Sequence, residues 1–177
     1  MKYSLKTVIQ TGLTISLFSM VNAPFSQADE IMQRGLRNAQ CVIAASQTYK
    51  VPTPLILILL QVEGGSLGKV SQNTNDTVDI GPMQVNQIWV NKIANHWKTS
   101  PEKAALFLKN NFCANVEAGT WILSLGLTEA KGDFWKGVGY YHSHNKELQD
   151  DYLRKVLRAV IRLQKQSRPP HQSNRSS

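Results

Sequence analysis

Apolar residues recur every three or four positions along most of the chain after residue 30, which is the spacing of amphipathic helices. The predicted helices cover residues 31–49, 55–63, 83–97, 100–108, 113–127, 133–141 and 146–166. On the first of them, one face carries Leu36, Ala39, Ile43 and Ala44, and we expect it to be buried. The pattern therefore predicts a mainly α fold, with a single helical domain over residues 29–166.

The second helix and the segment that follows it differ sharply in composition. Thr53 is suited to cap this helix, with Pro54 in its first turn. Residues 55–63 are apolar on nearly all sides, which predicts a central, buried helix that ends at Gly64. Residues 66–80 are polar and rich in turn formers, so we predict a short irregular loop or a small β-hairpin between residues 64 and 82.

Length and composition exclude several classes of protein. The chain has 177 residues, of which 42% are hydrophobic, so it can bury a core and is not a disordered chain. It is too short for a TIM barrel or a two-domain dehydrogenase. No apolar run reaches the roughly 20 residues that a membrane-spanning helix needs.

The first 28 residues have the layout of a secretory signal peptide. Lys2 and Lys6 precede a weakly polar hydrophobic stretch over residues 7–21, and small residues follow. We predict cleavage after Ala28 rather than after Ala23, because cleavage after Ala23 would leave Pro24 as the first residue. Export to the periplasm follows from this prediction. The alternative is an uncleaved amphipathic anchor.

Export also affects the interpretation of the cysteines. Cys41 and Cys113 are the only two in the chain. In an oxidising compartment, an even pair is typical of one disulfide, whereas two buried free thiols are the alternative. Two cysteines are too few for an all-cysteine zinc site.

Positive charge is concentrated at the C-terminal end. Residues 29–151 contain 11 basic and 12 acidic residues, whereas seven basic residues and no acidic one follow Asp151. Because aromatic residues are not interleaved with these charges, nucleic-acid binding is disfavoured, and an anionic envelope surface is the expected partner. The alternative is a solvated helix face. Residues 167–177 are predicted to form a disordered basic tail.

Glu63 is the anomalous residue of the chain, because it ends the most apolar stretch. Burial raises the pKa of a carboxyl group, which then stays protonated near neutral pH. A protonated Glu can donate the proton that the leaving oxygen of a glycosidic bond requires. Position alone also allows a plain structural role, in which Glu63 caps a helix or pairs with a surface lysine.

Three sequence blocks reduce this ambiguity. They are Gln-Val-Glu-Gly-Gly at 61–65, Gly-Pro-Met-Gln-Val-Asn at 81–86, and Gly-Tyr-Tyr-His-Ser at 139–143. In this order and spacing they resemble the lysozyme-like SLT family of lytic transglycosylases. The resemblance is strongest to small, single-domain members that accompany conjugation, secretion and pilus machines. It covers residues 41–156 and implies a lysozyme-like, mainly α fold with a small irregular or β-hairpin part.

The resemblance assigns roles to particular residues. It implies that Glu63 is the catalytic residue and that Tyr141 orients it and shapes the sugar sites. The second block lines the cleft, so Gly81, Met83, Gln84 and Asn86 become substrate-binding candidates. Asn73 is a further candidate from the loop.

These candidates have plainer alternatives. Met83 is expected to pack under the cleft, whereas the Gln84 and Asn86 amides suit either sugar hydroxyls or helix capping. The chain also departs from the family, which usually has Ser where this chain has Gly64 and Leu where it has Pro82.

The implied reaction cleaves peptidoglycan, between N-acetylmuramic acid and N-acetylglucosamine, without water. Glu63 would act as both acid and base, the sugar's own 6-hydroxyl would attack, and a 1,6-anhydro product would form. A hydrolytic muramidase would instead need a second carboxylate, for which Asp76 and Asp79 are the candidates. A non-catalytic envelope adaptor is the other alternative.

No cofactor and no metal is expected. His142 and His144 are two residues apart, so they point to different faces of a helix, and no third ligand is evident. The expected partners are peptidoglycan strands and components of an envelope-spanning machine.

Overall fold

The computed structural model describes residues 26–166. Most of the predicted signal peptide (1–25) and the predicted basic tail (167–177) lie outside these residues. Within 26–166 the chain forms seven α-helices and one three-stranded antiparallel sheet, so the predicted mainly α fold class is confirmed. The helices are α1 (Gln27–Tyr49), α2 (Thr53–Glu63), α3 (Val90–Trp97), α4 (Pro101–Asn110), α5 (Phe112–Glu129), α6 (Phe134–His142) and α7 (Lys146–Gln166).

Residues at the helix ends explain most of these boundaries. Ser26 caps α1 and forms a reciprocal capping box with Asp29, so α1 begins four residues earlier than predicted. Thr53 is the first residue of α2 rather than its cap, and its Oγ1 donates to Ser46 Oγ over 2.9 Å. Gly64 ends α2 in the left-handed conformation (φ 62°), as predicted.

The predicted buried face of α1 is wrong. Leu36 and Ile43 are 54% and 47% exposed, whereas Val42 and Ala45 are buried. The apolar spacing was correct, but α1 carries two apolar stripes. Small residues near the C-terminal end of the helix pack onto α5, and the larger side chains of the other stripe face outward.

The sheet includes residues that we predicted to be helical. Strand β1 (Val70–Gln72) pairs with β2 (Val78–Ile80), which pairs with β3 (Val85–Asn86) in the order β1-β2-β3. The hairpin is therefore present, but the helix predicted from residue 83 starts only at Val90, after a single 3-10 turn over Gln87–Trp89. The helix cannot begin at residue 83 because the backbone of residues 85–86 pairs with β2.

The core takes buried side chains from α2, α5 and α7, and it supports the site described below. Ile56 and Leu59 of α2, Leu123 of α5 and Val156 of α7 have no exposed surface. Leu57, however, is half exposed, so α2 is not buried on all sides as predicted.

Cys41 and Cys113 form a disulfide whose Cα atoms are 5.1 Å apart. It joins α1 to the first turn of α5. In the chain-entropy account, closing a loop of this length, with a sequence separation of 72, stabilises the fold by about 4 kcal/mol.

No single helix within residues 26–166 is long and apolar enough to cross a membrane. Helices α1 and α2 meet the length and composition criteria only as a pair, and that pair is bent by 120° at its break. The core position of Ile56 and Leu59 accounts for the apolar character of α2.

Candidate active site

A cleft of about 1080 Å³ runs between the small sheet and the helices α6 and α7. The C-terminal end of α2 contributes Val62 and Glu63 to it. Polar side chains from β1, β2 and the turn between them form one wall. The opposite wall comes from the third sequence block at the end of α6 and from α7, so all three blocks meet here.

Glu63 is the last residue of α2, and its carboxyl group lies at the cleft surface. The Tyr152 hydroxyl donates to Glu63 Oε1 over 2.7 Å. Burial raises the pKa of Glu63 to about 7, and this outweighs the Tyr152 hydrogen bond, which lowers it. The Asp79 charge raises this pKa further, whereas Lys155 lowers it. Near neutral pH, Glu63 can therefore both donate and accept a proton.

Tyr152 reaches Glu63 from α7. It is only 2% exposed, and it follows the buried helical spacing of Val156 and Ala159. The ring of His142 stacks on it at a centroid distance of 4.8 Å. Burial and this stacking therefore hold the Tyr152 ring, whose hydroxyl is directed toward the carboxyl group.

The second sequence block forms a turn behind the cleft wall, and Asn115 of α5 holds this turn. The amide nitrogen of Met83 donates to Asn115 Oδ1 over 2.7 Å. Asn115 Nδ2 donates to the carbonyl oxygens of Ile80 and Leu108 over 2.8 and 2.9 Å. Asn115 has no exposed surface, so these bonds are shielded from water.

Gly81 and Met83 support the cleft from within. Both are buried, and neither belongs to the cleft lining. Gly81 has φ 70°, and a Cβ there would collide with the Asn115 side chain. Met83 packs on Gly119, where a Cβ would lie 2.6 Å from Met83 Sδ. The expected place of Met83 under the cleft is thus observed, and Gly81 shares it instead of facing substrate.

Tyr141 has a different partner from the expected one. Its hydroxyl donates to the carbonyl oxygen of Met83 over 2.7 Å, so Tyr141 fastens the turn, while Tyr152 contacts Glu63. Tyr141 still lines the cleft next to Glu63. The two tyrosine rings stack with centroids 6.5 Å apart, so they form one aromatic unit.

The three amide candidates all line the cleft, but each also makes internal hydrogen bonds. Gln84 Nε2 donates to the carbonyl oxygen of Gly81 over 2.9 Å. Asn86 Oδ1 caps the 3-10 turn, and its Nδ2 donates to Asp79 Oδ1 over 2.8 Å. Asn73 Nδ2 donates to Thr77 Oγ1 over 3.1 Å. The capping alternative therefore holds for Asn86, alongside its place at the cleft surface.

The two acidic residues of the loop differ in position. Asp79 lines the cleft, and its charge acts on Glu63. Asp76 lies in the turn between β1 and β2 with φ 62°, and it is not part of the cleft lining. Of these two loop residues, only Asp79 is therefore placed to act as a second carboxylate in this cleft.

Gly64, where the family usually has Ser, occupies a backbone position that favours glycine. Gly64 is the left-handed C-cap of α2, a conformation that glycine adopts at little cost. Gly65 is also constrained, because a Cβ there would collide with the carbonyl oxygen of Gly81. Gly65 thus lets the second sequence block lie directly against the end of α2.

Residues 40–155 match the family model described as Transglycosylase SLT domain. The match covers about two thirds of the chain and includes Glu63, Tyr141 and Tyr152. The chain belongs to the transglycosylase SLT family. This membership agrees with the lysozyme-like, mainly α fold, and it supports peptidoglycan lytic transglycosylase activity in general. No curated protein matches the chain significantly.

Two residues of this SLT domain were missed by the sequence reasoning. Tyr152 lies at an apolar position of α7, and a tyrosine hydroxyl at such a position indicates a buried hydrogen-bond partner, which here is Glu63. Asn115 stands directly before Val116 on the face of α5 that is buried. A polar residue at such a position indicates a buried hydrogen-bond network, which would have been the signal to follow.

The described residues offer no metal centre, because no three His, Cys, Asp or Glu side chains in 26–166 are placed to share an ion. His144 lies 3.0 Å from Glu129, while His142 stacks on Tyr152. The two histidines thus have separate partners.

Proposed function

We propose that this SLT domain cleaves the β-1,4 bond between N-acetylmuramic acid and N-acetylglucosamine without water, with Glu63 as the sole acid and base. The observation that carries the proposal is the position of Glu63 at the cleft surface. There burial raises its pKa to about 7, and the Tyr152 hydroxyl fixes its orientation. One group with such a pKa can serve in both proton transfers.

The reaction would proceed in two linked proton transfers. Protonated Glu63 donates its proton to the glycosidic oxygen, and the bond from this oxygen to the anomeric carbon of muramic acid breaks. The 6-hydroxyl of the same sugar then forms a bond to that carbon, while ionised Glu63 accepts the hydroxyl proton. The products are a 1,6-anhydro sugar and a free 4-hydroxyl group, and Glu63 regains its proton.

The neighbouring groups support both steps. Asp79 disfavours a second negative charge beside it, and this favours the protonated form of Glu63 for the first step. The Tyr152 hydroxyl donates to Glu63 Oε1 and stabilises the carboxylate that the first step leaves.

Labelling with heavy-oxygen water tests this proposal. Purified peptidoglycan is digested in water enriched in the heavy isotope, and the released saccharides are analysed by mass. The proposed reaction incorporates no solvent oxygen at the cleaved bond, and Glu63→Gln releases nothing. Labelled reducing ends would contradict it.

A hydrolytic muramidase is the second candidate, and the position of Asp79 in the cleft is the observation that favours it. In this reaction Asp79 would act as nucleophile or as base for water. Asp79→Asn would then abolish activity. In the transglycosylase reaction this variant keeps activity, and the pKa of Glu63 falls because a raising charge is removed.

We also propose that the protein is exported to the periplasm and opens the wall locally for an envelope-spanning machine. The basic stretch after Asp151 supports contact with an anionic envelope surface. Cell fractionation and the N-terminal mass of the recovered protein test the export. Cleavage after Ala28 would remove Ser26 and its capping box, whereas cleavage after Ala23 would retain them.

A further inference from the structure

Lys155 lies on α7, three residues after Tyr152, and its side chain lines the same cleft as Glu63. Its charge acts on two groups there. The pKa of His142 is lowered by desolvation and then by Lys155. The pKa of Glu63 is set mainly by burial, and Lys155 is among the influences that lower it. The ammonium group is therefore within electrostatic range of the reacting centre.

Lys155 differs from the other basic residues of α7 because it lines the cleft. Lys146 pairs with Asp150, and Arg154 pairs with Asp151. Lys155 forms no salt bridge within the part of the chain that the structure describes, and it is exposed on the cleft side. Lys92, the other lysine in the cleft lining, lies 4.7 Å from the centroid of the Trp89 ring.

The acid step does not explain a cation at this position. A positive charge near Glu63 stabilises the carboxylate, so it disfavours the protonated form that the reaction needs first. Lys155 thus acts against the effect of Asp79. An anionic group of the substrate would provide the missing partner, and its arrival would also cancel the effect of Lys155 on Glu63.

Peptidoglycan carries its anions at a defined place. The ring hydroxyls and acetamido groups are neutral, whereas carboxylates occur on the lactyl arm of muramic acid. They belong either to the lactyl acid itself, in strands without peptide, or to the attached peptide stem. Muramic acid contributes the anomeric carbon in the proposed reaction, so this arm is held near Glu63.

We propose that Lys155 binds a carboxylate on the lactyl arm of muramic acid and thereby selects strands that carry a negative charge next to the cleaved bond. This assignment rests on the proposed function for the identity of the substrate. It makes Lys155 a determinant of specificity rather than a catalytic residue.

Binding measurements with three defined muramyl oligosaccharides test the assignment. The first has a free lactyl acid, the second a peptide stem with free carboxylates, and the third the same stem with every carboxylate amidated. Calorimetry compares Glu63→Gln with the double variant that adds Lys155→Gln. Lys165→Gln on the same background is the matched control, because it removes one charge from the same helix outside the cleft lining.

We expect Lys155→Gln to weaken binding of one or both anionic oligosaccharides by about 5-fold, the upper range for an exposed ion pair. Binding of the amidated oligosaccharide should stay unchanged, and the difference should shrink as salt is added. Whichever anionic oligosaccharide responds identifies the source of the carboxylate. The Lys165→Gln control should change none of the three.

Two results would overturn the assignment: equal weakening for all three oligosaccharides, or no weakening for any. The kinetic counterpart uses Lys155→Gln in the active protein. The loss of the Lys155 charge raises the pKa of Glu63 for all three substrates alike. The assignment therefore predicts that kcat/KM on the responding anionic substrate falls relative to kcat/KM on the amidated one, whereas an effect through Glu63 alone would leave that ratio unchanged. If the wild type cleaves none of them and the binding difference persists, the proposed function fails while the carboxylate site stands.

Discussion

Replacing Glu63 by Gln should stabilise the fold at alkaline pH. Burial raises the pKa of Glu63 from 4.5 to about 7. The folded protein therefore holds the proton more tightly than the unfolded chain does. The contribution of Glu63 to the free energy of unfolding is therefore fully present below pH 4.5. It is lost as pH rises toward 7, and above that pH it changes no further. The amide of the Glu63→Gln variant resembles a protonated carboxyl group and can still accept the Tyr152 hydrogen bond.

The magnitude follows from the two pKa values. The pKa of Glu63 differs by about 2.5 between the unfolded and the folded state. This difference lowers the free energy of unfolding by about 3 kcal/mol at pH 9, and by less than about 1 kcal/mol at pH 5. Because the carboxyl group opens onto the cleft, solvent screening reduces the first value, and we expect a gain of about 2 kcal/mol for Glu63→Gln at pH 9.

Urea unfolding at pH 5, 7 and 9 measures this difference. Glu147→Gln is the matched control, because it removes the same carboxyl group from an exposed position at the start of α7. The free energy of unfolding should diverge between wild type and Glu63→Gln as pH rises, and it should not diverge for the control. Parallel pH dependences for all three proteins would refute the raised pKa of Glu63.

Three further predictions follow from the same structure. In the wild type, kcat/KM should fall above about pH 7 as Glu63 loses its proton. The Tyr152→Phe variant lacks a hydrogen bond that lowers the pKa of Glu63, so in this variant the decline should begin at higher pH. Asn115→Ala should lower the free energy of unfolding by about 3 kcal/mol, because three buried backbone groups lose their partner. Replacing Cys41 and Cys113 by Ser should cost about 4 kcal/mol in the same unfolding assay, whereas an unchanged midpoint would contradict the entropic account.

Much of the fold could be predicted because helix periodicity and end signals are local. The predicted bounds of α7 match the structure at both ends, and the cap of α4 at Ser100 is present. The phase of α1 could not be predicted, because two apolar stripes compete and only the position of α5 decides between them. The third strand depends on pairing with β2, which local periodicity does not report.

The features of the site also fall into those that the sequence predicted and those that depend on long-range contacts. The three sequence blocks do meet in one cleft, and Glu63 lies where the blocks converge. The tyrosine that contacts Glu63 is Tyr152, which lies 89 residues away along the chain, so no local motif ties the two together. The role of Asn115 also depends on long-range contacts, since it holds a turn that comes from a different part of the chain.

The most direct test of the central proposal is the mass of the soluble products from purified wall sacculi, digested by the wild-type protein and by Glu63→Gln. Our account predicts muropeptides that are lighter by one water than hydrolysis products, and none from the variant. Products with ordinary reducing ends would contradict non-hydrolytic cleavage. They would instead indicate a hydrolase in which Asp79 is the second catalytic carboxylate. Release that persists in Glu63→Gln would contradict the role of Glu63 itself.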